Sequence, residues 1–285
     1  MYFYYPEYCK TTPALRNQGF NNKKSEVGIV LAHYTVLEQE YEKIGVDSMK
    51  KILIITNEWS KDDFGFIKGG TIPEIKNDFY LINNLIDVVS SFPDVEVTSV
   101  YHNDLTIKMV EDLRPDCIIT SGRMADWDME VVEDEYAAEL DLIRNYRVPL
   151  LGICGGMQLI AMAYGVPIGR MTDKEGNEVR EFGVMNVTVL SDDPLFRGLE
   201  NPMRYAMAHV DEIKDVPLGY SRIASTDKCR IGAIKSNEHP IWGLQFHPEM
   251  YKDSFKDGMK LLENFIYGDF NQKEEKECRK RVDIK

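Results

Sequence analysis

From residue 50 onward, short apolar segments alternate with segments in which apolar residues recur at helical spacing. This pattern predicts alternating strands and helices. A continuous apolar run at 51–56 predicts a first strand, residues 95–100 predict a second, and 116–120 predict a third, apolar strand. Between them, apolar residues at helical spacing predict a helix that ends before Pro93 and a second helix at about 105–113. The first of these helices carries its apolar face on Ile75, Phe79, Ile82, Ile86 and Val89. Strands that alternate with helices are typical of a parallel sheet covered by helices.

The second half of the chain has a different pattern. An acidic helix comes first, with a predicted buried face on Met129, Val132, Tyr136, Leu140 and Ile143. Pro149 then begins a fourth apolar strand, which leads into a helix that ends near 165–167. Shorter strands are predicted after it, at 182–190, 204–210, 221–225, 230–235 and 241–246, followed by a helix at about 254–267. We therefore predict an α/β fold with an open, mostly parallel sheet flanked by helices and a C-terminal mixed or antiparallel region.

The fourth strand turns directly into its helix in the segment 150–158, LLGICGGMQ. A strand-to-helix turn flanked by glycines holds a nucleophile in a strained bend at the carboxyl edge of a sheet, where functional groups of α/β proteins collect. Gly152 and Gly156 leave room for this approach. Cys154 would lie at the helix N-terminus, where the helix dipole favours a thiolate. Taken alone, Cys154 is more simply a small buried apolar residue, so chemistry requires partners elsewhere in the chain.

A histidine and a carboxylate two residues apart close the last predicted strand, in the segment 243–249, GLQFHPE. In extended backbone such a pair points to one side, and Pro248 favours extended geometry at His247. We expect Glu249 to bind one imidazole nitrogen and to leave the other facing Cys154. Each of these residues alone has an ordinary structural explanation. Together they provide a nucleophile, a base and an orienting acid, which are the parts of a catalytic triad.

These two segments resemble the signatures of the class I glutamine amidotransferases, a G-x-C-x-G elbow and a terminal F-H-P-E. The resemblance covers about residues 50–268. Within the family, the segments 152–158, 180–183, 208–212 and 242–249 are most similar to the glutaminase part of GMP synthetase. The resemblance implies a flavodoxin-like core, glutamine as the γ-acyl donor, and a catalytic triad. It assigns the triad to Cys154, His247 and Glu249, and substrate binding to Gln158, Gly122, His209 and Val210.

The turn Ser121-Gly122-Arg123-Met124 departs from the family pattern of two glycines and a proline. The backbone N–H groups of Gly155 and Arg123 are the candidate donors to the oxyanion. A residue with a side chain resists positive φ, so three alternatives stay open for Arg123. The turn is unproductive until a partner binds, the side chain enters the pocket and selects a carboxylate-bearing substrate, or the side chain points outward.

Composition excludes several other classes of function. The chain has 285 residues and a formal net charge of −13, which argues against nonspecific nucleic-acid binding and against docking on anionic membranes. Its five cysteines are widely spaced without a C-x-x-C pair, so we expect neither a zinc site nor a disulfide framework. We find no signal peptide and no apolar run of about 18 residues, and expect a cytoplasmic protein without metal or cofactor. His102, which has no partner spacing, is expected on the surface or in a loop.

We divide the chain into an N-terminal appendage (1–48), a glutamine amidotransferase domain (49–268) and a charged C-terminal tail (269–285). The appendage is either a dimer or partner contact or a weakly ordered tail, and Met49 is a candidate alternative translation start. Because we recognise no ammonia-consuming domain, we favour a glutaminase that supplies a separate synthetase subunit. Two alternatives stay open: a standalone hydrolase of another γ-glutamyl amide, and a non-catalytic regulator or scaffold of the same fold.

Overall fold

The computed structural model describes residues 49–57, 85–123, 126–251 and 255–270. Three of the sequence predictions therefore lie outside the described residues: the appendage, the part of the first helix with Ile75, Phe79 and Ile82, and residues 271–285 of the tail. No helix in the described ranges is long and apolar enough to cross a membrane.

Strands and helices alternate through the first half of the described chain, as the sequence predicts. These elements are β1 (Lys50–Thr56), α1 (Leu85–Ser90), β2 (Val95–Tyr101), α2 (Ile107–Leu113), β3 (Cys117–Thr120), α3 (Val132–Glu135), α4 (Ala137–Asn145), β4 (Leu150–Ile153) and α5 (Gly155–Ala163). The second half is mostly strands, as predicted, and ends in a helix. It comprises β5 (Ile168–Arg170), β6 (Glu181–Val189), β7 (Met203–His209), β8 (Asp211–Ile213), β9 (Tyr220–Ser225), β10 (Ala233–Ser236), β11 (Ile241–Leu244) and α6 (Asp257–Tyr267).

Nine of the strands in the described ranges form one sheet in the order β2-β1-β3-β4-β11-β10-β9-β6-β7. The first five are parallel neighbours and have the flavodoxin-like order. The remaining neighbours pair antiparallel. The predicted fold class is confirmed, because a parallel half and an antiparallel half make one continuous sheet. The separate pair β5 and β8 was not predicted.

The inner parallel strands are buried on both faces, which explains why β1, β3 and β4 appear in the sequence as apolar runs, whereas the edge strand β2 is mostly half-buried or exposed. On β1, Ile52 and Ile54 belong to one buried cluster, whereas Leu53 and Ile55 belong to another. Strands β3 and β4 are buried at every position. Cys117 on β3 is a core residue, as predicted. Layers of side chains on both faces therefore hold the carboxyl edge of the parallel half in place.

The acidic helix differs from its prediction, because it consists of the two short helices α3 and α4. Helical geometry is interrupted at Tyr136, whose φ is −105° and ψ is 17°. Four of the five residues predicted to form its apolar face are buried, namely Val132, Tyr136, Leu140 and Ile143. Met129 precedes the helix and is 54% exposed, so its assignment to the buried face was wrong.

His102 is also placed differently, since it is buried beside α3 and not on the surface. Its ring stacks on Tyr136 with the centroids 4.1 Å apart. Burial, reinforced by the positive charge of Arg123, lowers the pKa of His102 to about 4. The ring is therefore neutral at physiological pH and packs as an aromatic core residue.

Candidate active site

Cys154 lies at the junction of β4 and α5, at the carboxyl edge of the parallel strands. Its φ of 50° and ψ of −103° are strained for a residue that carries a side chain. Two backbone hydrogen bonds hold this bend: Cys154 donates to Leu244 at 2.6 Å, and Gln158 donates to the Cys154 carbonyl at 3.1 Å. The strained bend expected from the sequence is therefore present, and it places a buried thiol at the N-terminus of α5.

Two glycines allow α5 to approach the sheet closely. A methyl group at Gly152 would lie 2.6 Å from the backbone of Gly156. One at Gly156 would lie 2.5 Å from the Thr120 carbonyl oxygen. Neither position has room for a side chain, so the helix that carries Cys154 rests directly on β3 and β4.

His247 follows β11, and its backbone N–H donates to the Ala206 carbonyl of β7 at 3.0 Å. The segment 247–250 is a turn, closed by a hydrogen bond of 3.2 Å from Met250 N–H to the His247 carbonyl. His247 is extended as predicted and forms a bridge with Ala206, but the chain turns directly after it at Pro248 and Glu249, so the pair does not lie in one strand. The two side chains nevertheless meet as predicted, because Nδ1 of His247 lies 2.8 Å from Oε1 of Glu249.

The His247 ring also borders Cys154. A methyl group at Gly122 would lie 3.1 Å from Cε1 of His247 and 3.5 Å from Cβ of Cys154, so both side chains flank the same point. The second ring nitrogen, Nε2, has no nitrogen or oxygen partner among the described residues. Burial lowers the pKa of His247, but the negative charges of Glu249 and Cys154 outweigh burial and raise it to about 10. The imidazole is therefore protonated at neutral pH.

The turn after β3 faces the elbow and includes Arg123. A methyl group at Gly155 would lie 2.8 Å from the Arg123 backbone nitrogen, which places that nitrogen beside the elbow. Neither Gly122 nor Arg123 has a positive φ, so the conflict expected between a side chain and the turn does not arise. The guanidinium donates to the Asn57 and Asp126 carbonyls, at 3.3 and 3.4 Å, and to the Tyr136 hydroxyl. It is anchored by residues around its own loop, an arrangement that the sequence analysis did not anticipate.

Asn57, at the end of β1, ties this turn to the sheet. Its backbone N–H donates to Oγ of Ser121 at 3.0 Å. Its side-chain Nδ2 donates at 2.9 Å both to Oγ1 of Thr120 and to the Ser121 carbonyl. Its carbonyl accepts hydrogen bonds from Arg123 and Tyr136. Asn57 is fully buried, so it fixes the backbone from which the Arg123 N–H projects.

Comparison with known proteins places this arrangement in a family. The family model described as glutamine amidotransferase class-I matches residues 76–268, which is more than half of the chain. The chain belongs to the class I glutamine amidotransferases.

Several relatives of this class I glutamine amidotransferase are archaeal proteins, each named as one subunit of a glutamine-hydrolyzing GMP synthase. The protein of Archaeoglobus fulgidus is 37% identical over 131 residues, which cover 46% of this chain and 64% of the relative. The protein of Methanocaldococcus jannaschii is 37% identical over 126 residues, which cover 44% of this chain and 63% of the relative. The chain thus spans a little less than two thirds of the length of these relatives.

Solved structures share the fold. One is described as a GMP synthase subunit from Thermoplasma acidophilum, with a TM-score of 0.58 and 24% identity, covering 76% of this chain and 92% of that one. Another is a glutamine amidotransferase from Thermotoga maritima, with a TM-score of 0.52 and 20% identity, covering 82% of this chain and 88% of that one. At these identities the likeness is one of architecture.

Two of the four residues that the family resemblance assigns to substrate, Gln158 and His209, meet at the Asp211 carbonyl. Gln158 is buried on α5, and its Nε2 donates to that carbonyl at 3.3 Å. The His209 ring lies 3.0 Å from the same oxygen through Nδ1 and 2.9 Å from Oε2 of Glu181 through Nε2. Both nitrogens of His209 are thus engaged within the protein. The Val210 carbonyl is engaged as well, since it accepts a hydrogen bond from the Met171 N–H at 2.9 Å.

Glu181, His209 and Cys229 are the kinds of residue that bind metal ions, and their ligand atoms lie within 4.8 Å of one another. The Glu181 carboxylate also accepts a hydrogen bond from Oγ1 of Thr226, and Sγ of Cys229 donates to the Ile231 carbonyl at 3.4 Å. Burial, together with the nearby Glu181 charge, raises the pKa of Cys229. Each of the three groups thus has a hydrogen-bond partner within the protein, and together they form a buried polar cluster around His209.

Sequence reasoning missed Gln245, although it lies inside the GLQFHPE segment. Its Nε2 donates to Sγ of Cys154 at 3.5 Å, and its side chain is fully buried. The position of Gln245, between a buried strand and the predicted base, is the signal that could have found it.

Proposed function

We propose that this chain is a glutaminase, which hydrolyses glutamine to glutamate and ammonia through a γ-glutamyl thioester on Cys154. One observation carries the proposal: a thiol on a strained elbow and an imidazole held by a carboxylate border the same point at Gly122. This is the arrangement of a nucleophile, a proton donor and an orienting acid.

The first half of the reaction uses the protonated imidazole. The Cys154 thiolate attacks the side-chain carbonyl carbon of glutamine, and the carbonyl oxygen becomes an oxyanion. When this intermediate collapses, the carbon–nitrogen bond breaks and His247 transfers its Nε2 proton to the leaving nitrogen. Ammonia departs, and a thioester and a neutral imidazole remain. The raised pKa of His247 keeps the donor loaded at the start of this half.

The second half uses the same ring as a base. His247 takes a proton from water, and the resulting hydroxide attacks the thioester carbon. The carbon–sulfur bond then breaks, which releases glutamic acid and restores the thiolate beside an imidazolium. The acid proton passes to solvent. Glu249 holds the ring in one orientation and stabilises its positive charge through both halves.

The backbone N–H groups of Gly155 and Arg123 are the donors we assign to both oxyanions. Their support is the close approach of the Arg123 nitrogen to the elbow and the rigid attachment of that turn to Asn57. Losing one such donor typically costs about 10²–10³ in rate. We assign substrate contacts to Gln158 and to the backbone of Gly122 and Val210, with His209 as the support for the last of these.

We further propose that the ammonia is consumed by a separate synthetase partner. The proposal is supported by the relatives that are named as one subunit of a glutamine-hydrolyzing GMP synthase. A GMP synthase subunit that aminates with free ammonia is therefore the first partner to test.

The test measures glutamate and ammonia release from L-glutamine, with and without such a synthetase subunit. Cys154→Ala should abolish release, whereas Cys117→Ala removes a buried thiol from the core of β3 and should retain it. With the partner and its nucleotide substrates present, glutamine should replace ammonium salts as the nitrogen donor. Release that survives in Cys154→Ala, or cleavage of other γ-glutamyl amides with none of glutamine under either condition, would overturn the proposal.

A further inference from the structure

Trp127 links Arg123, in the turn after β3, to Gln158 of α5. Its Nε1 donates to Oε1 of Gln158 at 2.6 Å. The Arg123 guanidinium lies over its ring, 4.8 Å from the centroid. The Tyr136 ring meets it edge-on, with the centroids 5.2 Å apart. The indole is thus held on two sides while its N–H points at one side-chain amide.

These contacts fix the orientation of the Gln158 amide by chemistry. An indole N–H can only donate, so the atom of Gln158 that faces Trp127 must be the oxygen. A backbone carbonyl can only accept, so the atom that faces Asp211 must be the nitrogen. If the amide were rotated by about 180°, its nitrogen would face the indole N–H of Trp127, so that two donors would meet. Its oxygen would face the Asp211 carbonyl, so that two acceptors would meet. Such a rotation would leave the partly buried Trp127 N–H without its partner and would place Oε1 of Gln158 against the Asp211 carbonyl oxygen, which is unfavourable.

The loop that carries Trp127 is itself anchored. The Arg170 guanidinium contacts both carboxylate oxygens of Asp126, at 3.2 and 3.1 Å, and lies 3.5 Å from the Asp211 carboxylate. Strand β5, which ends at Arg170, pairs with β8, which begins at Asp211. The small two-stranded sheet therefore holds both groups that orient Gln158. It holds Trp127 indirectly, through the contact of Arg170 with the neighbouring Asp126, and it contains Asp211 itself.

We propose that Trp127 is a specificity-determining positioning residue, which holds the Gln158 amide in one orientation for the amino-acid end of the substrate. This inference rests on the proposed function, in which Gln158 contacts the substrate. Trp127 and Asp211 each use one hydrogen-bonding position of the amide. One N–H remains on Nε2 and one lone pair remains on Oε1, and both have fixed positions. They match the carboxylate and the ammonium group of an α-amino acid, which accept and donate respectively.

The test compares the wild-type protein with Trp127→Phe, which keeps a ring in the loop but removes the N–H. We expect the KM for L-glutamine to rise about 3- to 10-fold, the value of one neutral hydrogen bond, with kcat within about 3-fold. Trp242→Phe is the matched control, because its buried Nε1 donates to Asp193 at 3.0 Å without touching Gln158. This control should leave the KM unchanged. A fall in kcat at constant KM for Trp127→Phe would contradict the proposal.

A double-mutant cycle tests whether Trp127 acts through Gln158. In a Gln158→Met background, Trp127→Phe should have no further effect on the KM. Equal effects in both backgrounds would show that Trp127 acts independently of the amide and would overturn the proposal.

A third readout does not need turnover. The diazoketone analogue of L-glutamine carries an amino-acid end, and iodoacetamide does not, yet both alkylate a reactive cysteine. Trp127→Phe should lower the ratio of the two alkylation rates of Cys154 about 3- to 10-fold, through the diazoketone alone. Equal changes in both rates would overturn the inference. If the wild-type protein turns over no glutamine, the proposed function fails, but this ratio still tests the role of Trp127.

Discussion

Gly258 of α6 packs directly on Pro248, the residue between His247 and Glu249. A methyl group at Gly258 would lie 1.9 Å from the Pro248 carbonyl oxygen and 2.8 Å from its carbonyl carbon. The C-terminal helix therefore supports the turn that carries the histidine and the glutamate. Any displacement of α6 from this contact is passed to both side chains through one proline.

We therefore expect Gly258→Ala to reduce both stability and activity. The new methyl group cannot be accommodated by a side-chain movement, because the atoms it meets are backbone. The free energy of unfolding should fall by about 1–3 kcal/mol or more, and glutamine hydrolysis should fall in the protein that remains folded. Thermal unfolding and kcat on the same preparation measure the two effects. Gly169→Ala is the control, since its methyl group would meet only the flexible end of Lys214, at 3.0 Å.

Glu249→Gln should change the pH dependence as well as the rate. In the wild-type protein the imidazolium persists until about pH 10, so the alkaline limb of kcat/KM should lie near that value. Removing the Glu249 charge removes a cause of the raised pKa, so the limb should move to lower pH. We expect kcat at neutral pH to fall about 10²–10⁴-fold. Glu263→Gln, which removes a carboxylate on the surface of α6, should leave the limb in place, and an unmoved limb in Glu249→Gln would contradict this account.

Glu139→Gln tests the buried carboxyl beside Thr120, at the end of β3. Glu139 is 1% exposed and accepts a hydrogen bond from Oγ1 of Thr120. Burial raises its pKa from 4.5 to about 7, against the opposing effect of hydrogen bonds from Thr120 and Asn57. Between these values the folded protein binds more protons than the unfolded chain, so its stability falls as pH rises. Glu139→Gln has no carboxyl group to titrate, so its stability does not fall for this reason as pH rises. Its Tm relative to wild type should therefore increase from pH 5 to pH 8, and a constant or decreasing difference would argue against a raised pKa.

The sequence predicted the parallel half of the sheet and the meeting of His247 with Glu249, because those signals are local. An apolar run that ends at a glycine-flanked cysteine specifies both a strand and the bend after it. The histidine and the glutamate are neighbours in the chain, so their side chains meet in a turn as they would in a strand. Exact strand ends were less predictable, as at β11, which stops at Leu244 where the turn toward His247 begins.

The network around the turn could not be predicted, because its partners are distant in the chain. Asn57 bonds to residues 63 and 64 positions away, and only the pairing of β1 with β3 brings them together. Trp127 faces Gln158 across 31 positions. The anchoring of Arg123 depends on the orientation of Tyr136, which in turn depends on an interruption between two helices that apolar spacing alone does not show.

The position of β11 in the sheet sets the order in which this site can assemble. It is the last strand to be synthesised among those described, yet it lies between β4 and β10. When the growing chain has formed the elbow, the strand that will pair with β4 on its other side has not yet been synthesised. His247 reaches Cys154 only after β11 has paired with β4. Because an N-terminal region can begin to fold during synthesis, the chain carries Cys154 before the histidine and the glutamate that we propose as its catalytic partners. Completion of the sheet by β11 is thus the step that brings the three proposed catalytic residues together.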